Sequence, residues 1–209
     1  MSRRAITAFV LAALTPSTSA AGPPSAANST IPSHVLLVGL DAGVPHSAMG
    51  EFVIVVRDLA DIPESDRLVE VRFQVCPGAR IASDQAQAAV SSQCATHGIT
   101  SISDVDGVVR MTAVGAGDPS APHGAGPCAS VYAGGVFLGL VAVSYLDQDG
   151  ASGLGAGDLS VWLSDFVTGD PIGRSDYDGN GSLGALDLSL WLTAYASGGQ
   201  VHSPTQYCP

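Results

Sequence analysis

The chain contains no lysine, so its eight basic residues are all arginine, set against nineteen acidic ones. Glutamate is also scarce: sixteen of the acids are Asp and three are Glu. A surface that neutralises phosphates needs clustered Lys and Arg, so a net charge of −11 excludes nucleic-acid binding. There is no CxxC pair, and the histidines at 34, 46, 97, 123 and 202 are isolated, which argues against zinc. Long hydrophobic runs are missing too. Residues 5–14 and the Gly-interrupted stretch 131–143 are both too short to span a bilayer. No GxSxG elbow or HExxH pair occurs, and no Cys–His setting is recognisable, so the expectation is a non-enzyme. What remains is a 209-residue chain, 46 % hydrophobic and with 25 Gly, long enough for one or two domains with real cores.

The N-terminus combines Arg3-Arg4, the apolar run and the small residues 18–21, the pattern of a secretory signal peptide over residues 1–21. Cleavage after Ala20 or Ala21 leaves six bases against nineteen acids, a net charge of −13. Export to the extracellular space or a bacterial cell surface licenses disulfides between Cys76, Cys94, Cys128 and Cys208. Sequence leaves all three pairings open. Loop length favours Cys76–Cys94, which leaves Cys128–Cys208 to tie back the tail.

Residues 22–33, rich in Pro, Ser and Ala, read as a flexible leader. From His34 the pattern is β. Val69, Val71, Phe73 and Val75 alternate with Glu70, Arg72 and Gln74, and runs at 35–40, 52–56, 99–102 and 108–114 add further strands. Asp104–Gly107 is a turn signal, and 129–143 reads as a hairpin with a Gly turn. Residues 83–93 are the one stretch in this region with helical character. Asp58, Asp61, Glu64 and Asp66 fall in a turn-rich stretch expected to be a solvated loop. About seven short strands over about 110 residues match an antiparallel sandwich. The strings at 52–63, 69–75 and 103–111 resemble bacterial Ig-like domains of invasin type, which implies a spacer or adhesion domain over 34–143.

The composition changes after residue 143: the last 66 residues hold eight Asp, one Arg, no Glu and both Trp. Residues 147–166 and 176–195 repeat at a 29-residue offset with eleven of twenty positions identical. In the second copy Asp176, Asp178 and Asn180 take positions 1, 3 and 5 of a calcium loop. Gly181 takes the sharp turn at position 6, Ser182 offers its carbonyl at 7, and Asp187 closes the loop at 12. Leu188, Trp191, Leu192 and Tyr195 then recur at helical spacing. The first copy keeps Asp147, Asp149 and Asp158, but Ala151 and Ser152 at positions 5 and 6 predict weaker binding. Asp104–Gly107 lacks later ligands, and Gly179–Gly184 matches GxGxxG only by lying inside the second loop. Trp162 and Trp191, at equivalent positions in Leu-rich helices, are expected to pack the halves together rather than to stack sugars.

The paired loops and helices over 146–197, with no clear entering helix, resemble the type I dockerin family. That resemblance implies a small α-helical C-terminal domain over 144–197 followed by a tail, 198–209. It would be folded by Ca2+ and docked on a cohesin-like or other surface protein. Its metal ligands map onto Asp176, Asp178, Asn180 and Asp187, and onto Asp147, Asp149 and Asp158. Loop positions 10 and 11 depart from the family, with Ala156-Gly157 and Ala185-Leu186 where dockerins present hydroxyls. The expected protein is therefore a secreted, calcium-dependent assembly or attachment factor. The alternative is an accessory carbohydrate-binding component of polysaccharide breakdown.

Overall fold

The computed structural model describes residues 22–121, 126–151, 153–169, 172–197 and 206–209. The proposed signal peptide, Ser152 and most of the C-terminal tail lie outside them. Twelve strands and four helices are formed among the described residues. The strands before the long central loop are β1 (His34–Leu37), β2 (Leu40–Asp41), β3 (Val44–Pro45), β4 (Glu51–Val55), β5 (Leu68–Arg72) and β6 (Arg80–Ile81). They are followed by β7 (Ser91–Gln93), β8 (Gly98–Ile102), β9 (Val108–Thr112), β10 (Gly115–Ala116), β11 (Ala129–Ala133) and β12 (Val136–Tyr145). The helices are α1 (Ser47–Gly50), α2 (Ala156–Thr168), α3 (Ile172–Ser175) and α4 (Ala185–Ala196). None is long and apolar enough to cross a membrane.

A curled six-stranded sheet runs in the order β1-β12-β11-β5-β8-β7, and β4 and β9 form a separate antiparallel ribbon. Alternation in β5 buries Val69 and Val71, and the tight β11–β12 turn uses Gly134 and Gly135 at positive φ, as a two-residue hairpin requires. Val35, Leu37, Val71, Ile99 and Val131 share one core with Phe52, Ile54, Val109 and Met111 of the ribbon. Each such side chain, fully buried, stabilises the fold by about 1.5–3 kcal/mol.

This is not the expected Ig-like sandwich with a separate helical dockerin domain. The fold is mainly β, with four short helices, and the β1–β12 pairing is parallel, His34 opposite Ala142 through Leu37 opposite Tyr145. The helices build their apolar cluster on the other side of β1: Leu36, Val38 and Leu146 join Leu154, Trp162, Tyr177, Trp191 and Ala194. A period-two strand with apolar residues on both faces is what a strand buried between two layers requires.

Residues 83–93 form no helix. Their side chains do the work of a missing strand instead. Gln85 Nε2 donates to the Val114 carbonyl at 3.1 Å while its Oε1 accepts from Val114 N–H at 2.7 Å. Gln87 makes the same pair of bonds to Thr112, at 2.6 and 3.3 Å. Two amides spaced at i, i+2 thus satisfy the free edge beyond β9. The acidic stretch after β4 is not uniformly solvated either, because Asp58 and Glu64 are buried. Asp58 Oδ1 accepts the Ala60 and Ile62 N–H groups at 2.8 and 2.9 Å, and Glu64 pairs with Arg67. Residues 22–33, expected to be a flexible leader, are tied down: Ser25 N–H donates to Arg57 O at 2.8 Å, and Thr30 pairs with Val55.

The disulfides are Cys76–Cys128 and Cys94–Cys208, with Cα atoms 4.9 and 4.8 Å apart. The expected pairing of Cys76 with Cys94 and Cys128 with Cys208 is overturned. Loop length was the wrong criterion, because strand neighbours decide. β5 and β11 are adjacent with Arg72 opposite Ser130, so the turn after β5 carries Cys76 to Cys128. The tail returns beside β6, where Cys208 N–H donates to Ile81 O at 2.8 Å and Arg80 covers the Tyr207 ring at 4.1 Å. Non-reducing peptide mapping should therefore recover a 76–128 and a 94–208 cross-link. Replacing Cys94 and Cys208 together by Ser should cost about 2–5 kcal/mol in urea unfolding.

Candidate metal centre

Each repeat gathers three carboxylates whose oxygens lie within 4.8 Å of one another: Asp147, Asp149 and Asp158 in the first, Asp176, Asp178 and Asp187 in the second. The two are built alike from the backbone outward. Asp158 Oδ1 accepts the N–H groups of Gln148 and Asp149 at 2.6 and 3.0 Å, and its Oδ2 accepts Gly155 N–H at 2.8 Å. Asp187 repeats this with Tyr177, Asp178 and Gly184 at 2.8, 3.3 and 2.8 Å. The closing carboxylate thus sits in the first turn of α2 or α4, where it caps backbone donors and complements the helix dipole.

Position 3 is a turn acceptor in both loops. Asp149 takes Ala151 N–H at 2.8 Å, and Asp178 takes Asn180 N–H at 3.0 Å. In the second loop Asp176 adds bonds from Asn180 and Gly181 N–H, with Gly181 at φ 85°. Asn180 is drawn into the cluster through Nδ2, which donates to Asp178 Oδ2 at 2.6 Å. Ser182 donates its N–H and hydroxyl to Asn180 Oδ1. Gly157 at position 11 of the first loop lies against the Asp149 side chain. A Cβ there would require the Asp149 carboxylate to shift.

Packing anions together raises the proton affinity of one carboxylate in each loop. Burial, with the charges of Asp147 and Asp149 added, pushes the Asp158 pKa up to about 6 against hydrogen bonds that favour its anion. Asp176 is raised as well, by burial first and then by Asp178 and Asp187. A cation with oxygen ligands would relieve both. Three carboxylates with neighbouring amide and backbone oxygens form a hard donor set of the kind that holds calcium.

Several residues outside the ligand pattern join the two loops. Gln148 and Tyr177 occupy position 2 of their loops, and Gln148 Nε2 donates to Tyr177 Oη at 2.7 Å and to Ser175 Oγ at 2.8 Å. Arg174 makes a two-pronged pair with Asp165, 2.6 Å through each nitrogen, and Ser175 Oγ donates to the same carboxylate. Trp162 Nε1 donates to Ser175 O at 3.3 Å. Both Trp are buried in the shared cluster, as their spacing predicted. Below the second loop, Gly179 packs on the His34 ring, whose Nε2 lies 2.7 Å from Ser144 Oγ. Burial, partly offset by Asp178, pushes His34 down to about 4, so it is neutral near pH 7. The one hint of this network in the sequence is Arg174, the only arginine after residue 143.

α2 and α4 each leave large apolar side chains half exposed. Leu163 and Leu192 are 46 % and 47 % exposed, Phe166 and Tyr195 50 % and 47 %. Phe166 stacks on Trp162 and Tyr195 on Trp191, each with ring centroids 5.2 Å apart. The helical spacing groups Leu192 and Tyr195 with Leu188 and Trp191. The structure buries Asp187, Trp191 and Ala194 and turns Leu192 and Tyr195 outward. Comparison with protein-family models, curated proteins and solved structures returned no match to this chain.

Two outcomes follow from this geometry. Since folding raises the Asp158 pKa, the metal-free protein binds more protons folded than unfolded between about pH 4 and 6, and its stability should fall as pH rises through that window. Urea unfolding in chelator at pH 5 and pH 7 should differ by about 1–3 kcal/mol in favour of pH 5. Separately, Arg174→Met strands the buried Asp165 and should cost about 3–5 kcal/mol, whereas Asp165→Leu combined with Arg174→Met should cost less than the single change.

Proposed function

We propose that this is an exported, non-catalytic calcium-binding protein whose two loop–helix units dock a partner protein in a calcium-dependent manner. The observation that carries the reading is the duplication itself. Two carboxylate triads, 29 residues apart, are held by the same three backbone hydrogen bonds to the closing Asp and followed by the same Trp-bearing helix. Asp176, Asp178, Asn180, Asp187 and the backbone around Ser182 would hold one ion, and Asp147, Asp149 and Asp158 a second, more weakly. Export is supported by the basic-apolar-small pattern of residues 1–21 and by two disulfides.

The ion would supply positive charge where three anions meet, and so stabilise the starts of α2 and α4, the helices that carry the exposed Leu163, Phe166, Leu192 and Tyr195. Half-exposed apolar side chains of this kind suit a protein partner, cohesin-like or another surface protein. Calcium in hundredfold excess over its Kd should raise the melting temperature by about 5–10 °C relative to EDTA. Asp178→Ala, at an exposed ligand position, should remove most of that shift. Asp149→Ala should remove the smaller share. Superimposable melting curves with calcium and with EDTA would overturn the proposal.

A further inference from the structure

Gly22 lies against the buried Asp58. Its nitrogen is 3.2 Å from Asp58 Oδ2, and its carbonyl accepts from Arg67 Nη2 at 3.1 Å. Both Asp58 oxygens are thereby engaged, since Oδ1 takes Ala60 and Ile62 N–H. Pro23 and Pro24 stiffen the next two positions, and Pro24 bridges to Asp58. Asn28 Nδ2 then donates to Asp58 O at 2.8 Å, and Ser25 N–H to Arg57 O. A twelve-residue segment is thus laid down so that one backbone nitrogen meets one carboxylate.

A single amide N–H is a modest partner for a buried carboxylate. A terminal ammonium is a much stronger one. We infer that the chain is processed between Ala21 and Gly22, and that the α-ammonium so released forms an ion pair with Asp58 that locks the mature N-terminus onto the fold. Water hydrolyses the Ala21–Gly22 peptide bond: Ala21 leaves with the new carboxylate, and the Gly22 nitrogen takes up protons to become an ammonium. The cut falls after small residues, with Ser19 and Ala21 at the third and first positions before it, as export-linked cleavage requires. The inference rests on the export reading and narrows it to one bond. The neighbouring charges leave the pair intact. Arg67 is neutralised by the buried Glu64, and Arg57 is paired with Asp61 at 3.4 Å.

The absence of lysine makes the test clean, because the mature N-terminus would be the sole primary amine in the chain. N-terminal sequencing and intact mass of the protein secreted from the full-length gene should give Gly22 as the first residue. An ion-paired α-amino group has its pKa raised above the ordinary value of about 7.7–8.0, so less of it is free to react near pH 8. Acylation there should be about tenfold slower for the chain beginning at Gly22 than for one prepared to begin at Ala21. In urea the two rates should be equal. Stability gained from the pair is complete below about pH 8 and lost as pH rises through the raised value, so the Gly22 chain alone should lose melting temperature between about pH 8 and 10. Asp58→Asn should abolish both differences. Should that variant not fold, the acylation comparison decides by itself. Any other first residue, or equal folded-state acylation rates, overturns the inference. Recovery of secreted protein with Met1 intact would overturn the export reading as well, whereas cleavage at a different bond would overturn this step alone.

Discussion

The fold depends on one strand being buried on both faces. β1 sends Val35 and Leu37 into the core shared by the sheet and the β4–β9 ribbon, and Leu36 and Val38 into the cluster with Trp162 and Trp191. Val38, one residue past the strand, also exchanges backbone bonds with Ala113 and Gly115 at 3.0 Å. Four consecutive apolar residues therefore contribute to both cores at once, and neither core is complete without them. Gly50 shows how tight this junction is, since a Cβ there would come within 2.6 Å of a Val38 methyl. Overpacking at such a point strains both clusters at once.

The carboxylate loops sit at the far edge of this junction, and electrostatics there pulls in two directions. Burial and mutual repulsion drive Asp158 and Asp176 toward protonation, while backbone N–H groups aimed at the closing Asp hold its anion in place. The two loops do not settle that contest independently. Gln148 and Tyr177 touch across the module at the second position of each loop, directly after Asp147 and Asp176. The Asp165–Arg174 pair fixes the approach to the second loop from the helix that leaves the first. A bond between equivalent positions makes the duplication a mechanical unit rather than two copies in a row.

How much of this was legible follows from which contacts are local. The loops, the Gly134-Gly135 hairpin and the Asp104 turn were readable because spacing alone defines them, and Asp104 Oδ1 indeed takes the Asp106 and Val108 N–H groups at 2.9 Å. The parallel β1–β12 pairing was not, because nothing in residues 34–37 names a partner more than 100 residues away. The disulfides failed for the same reason. Residues 83–93 misled differently: their composition suits a helix, yet Gln85 and Gln87 find backbone partners on Thr112 and Val114 that no local rule anticipates. Asp58 and Glu64 were read as solvated from their neighbours, when each is buried against a specific donor set.

The preponderance of Asp over Glu has a structural cause broader than metal binding. Asp58, Asp84, Asp104, Asp118, Asp149 and Asp178 each accept the N–H of the residue two positions on, at 2.8 to 3.0 Å. The short Asp side chain closes such a turn, and Glu, one methylene longer, does not. Twelve strands among the described residues need many turns, and this chain makes several of them with carboxylates. Asp149 and Asp178 do both jobs, turn acceptor and candidate ligand, and Asp178 engages Asn180 through both of its oxygens. The loop backbone is consequently shaped by hydrogen bonds that do not require a cation. An ion bound there would meet a preformed site, and its free energy would go into relieving repulsion among carboxylates rather than into ordering the chain that carries them.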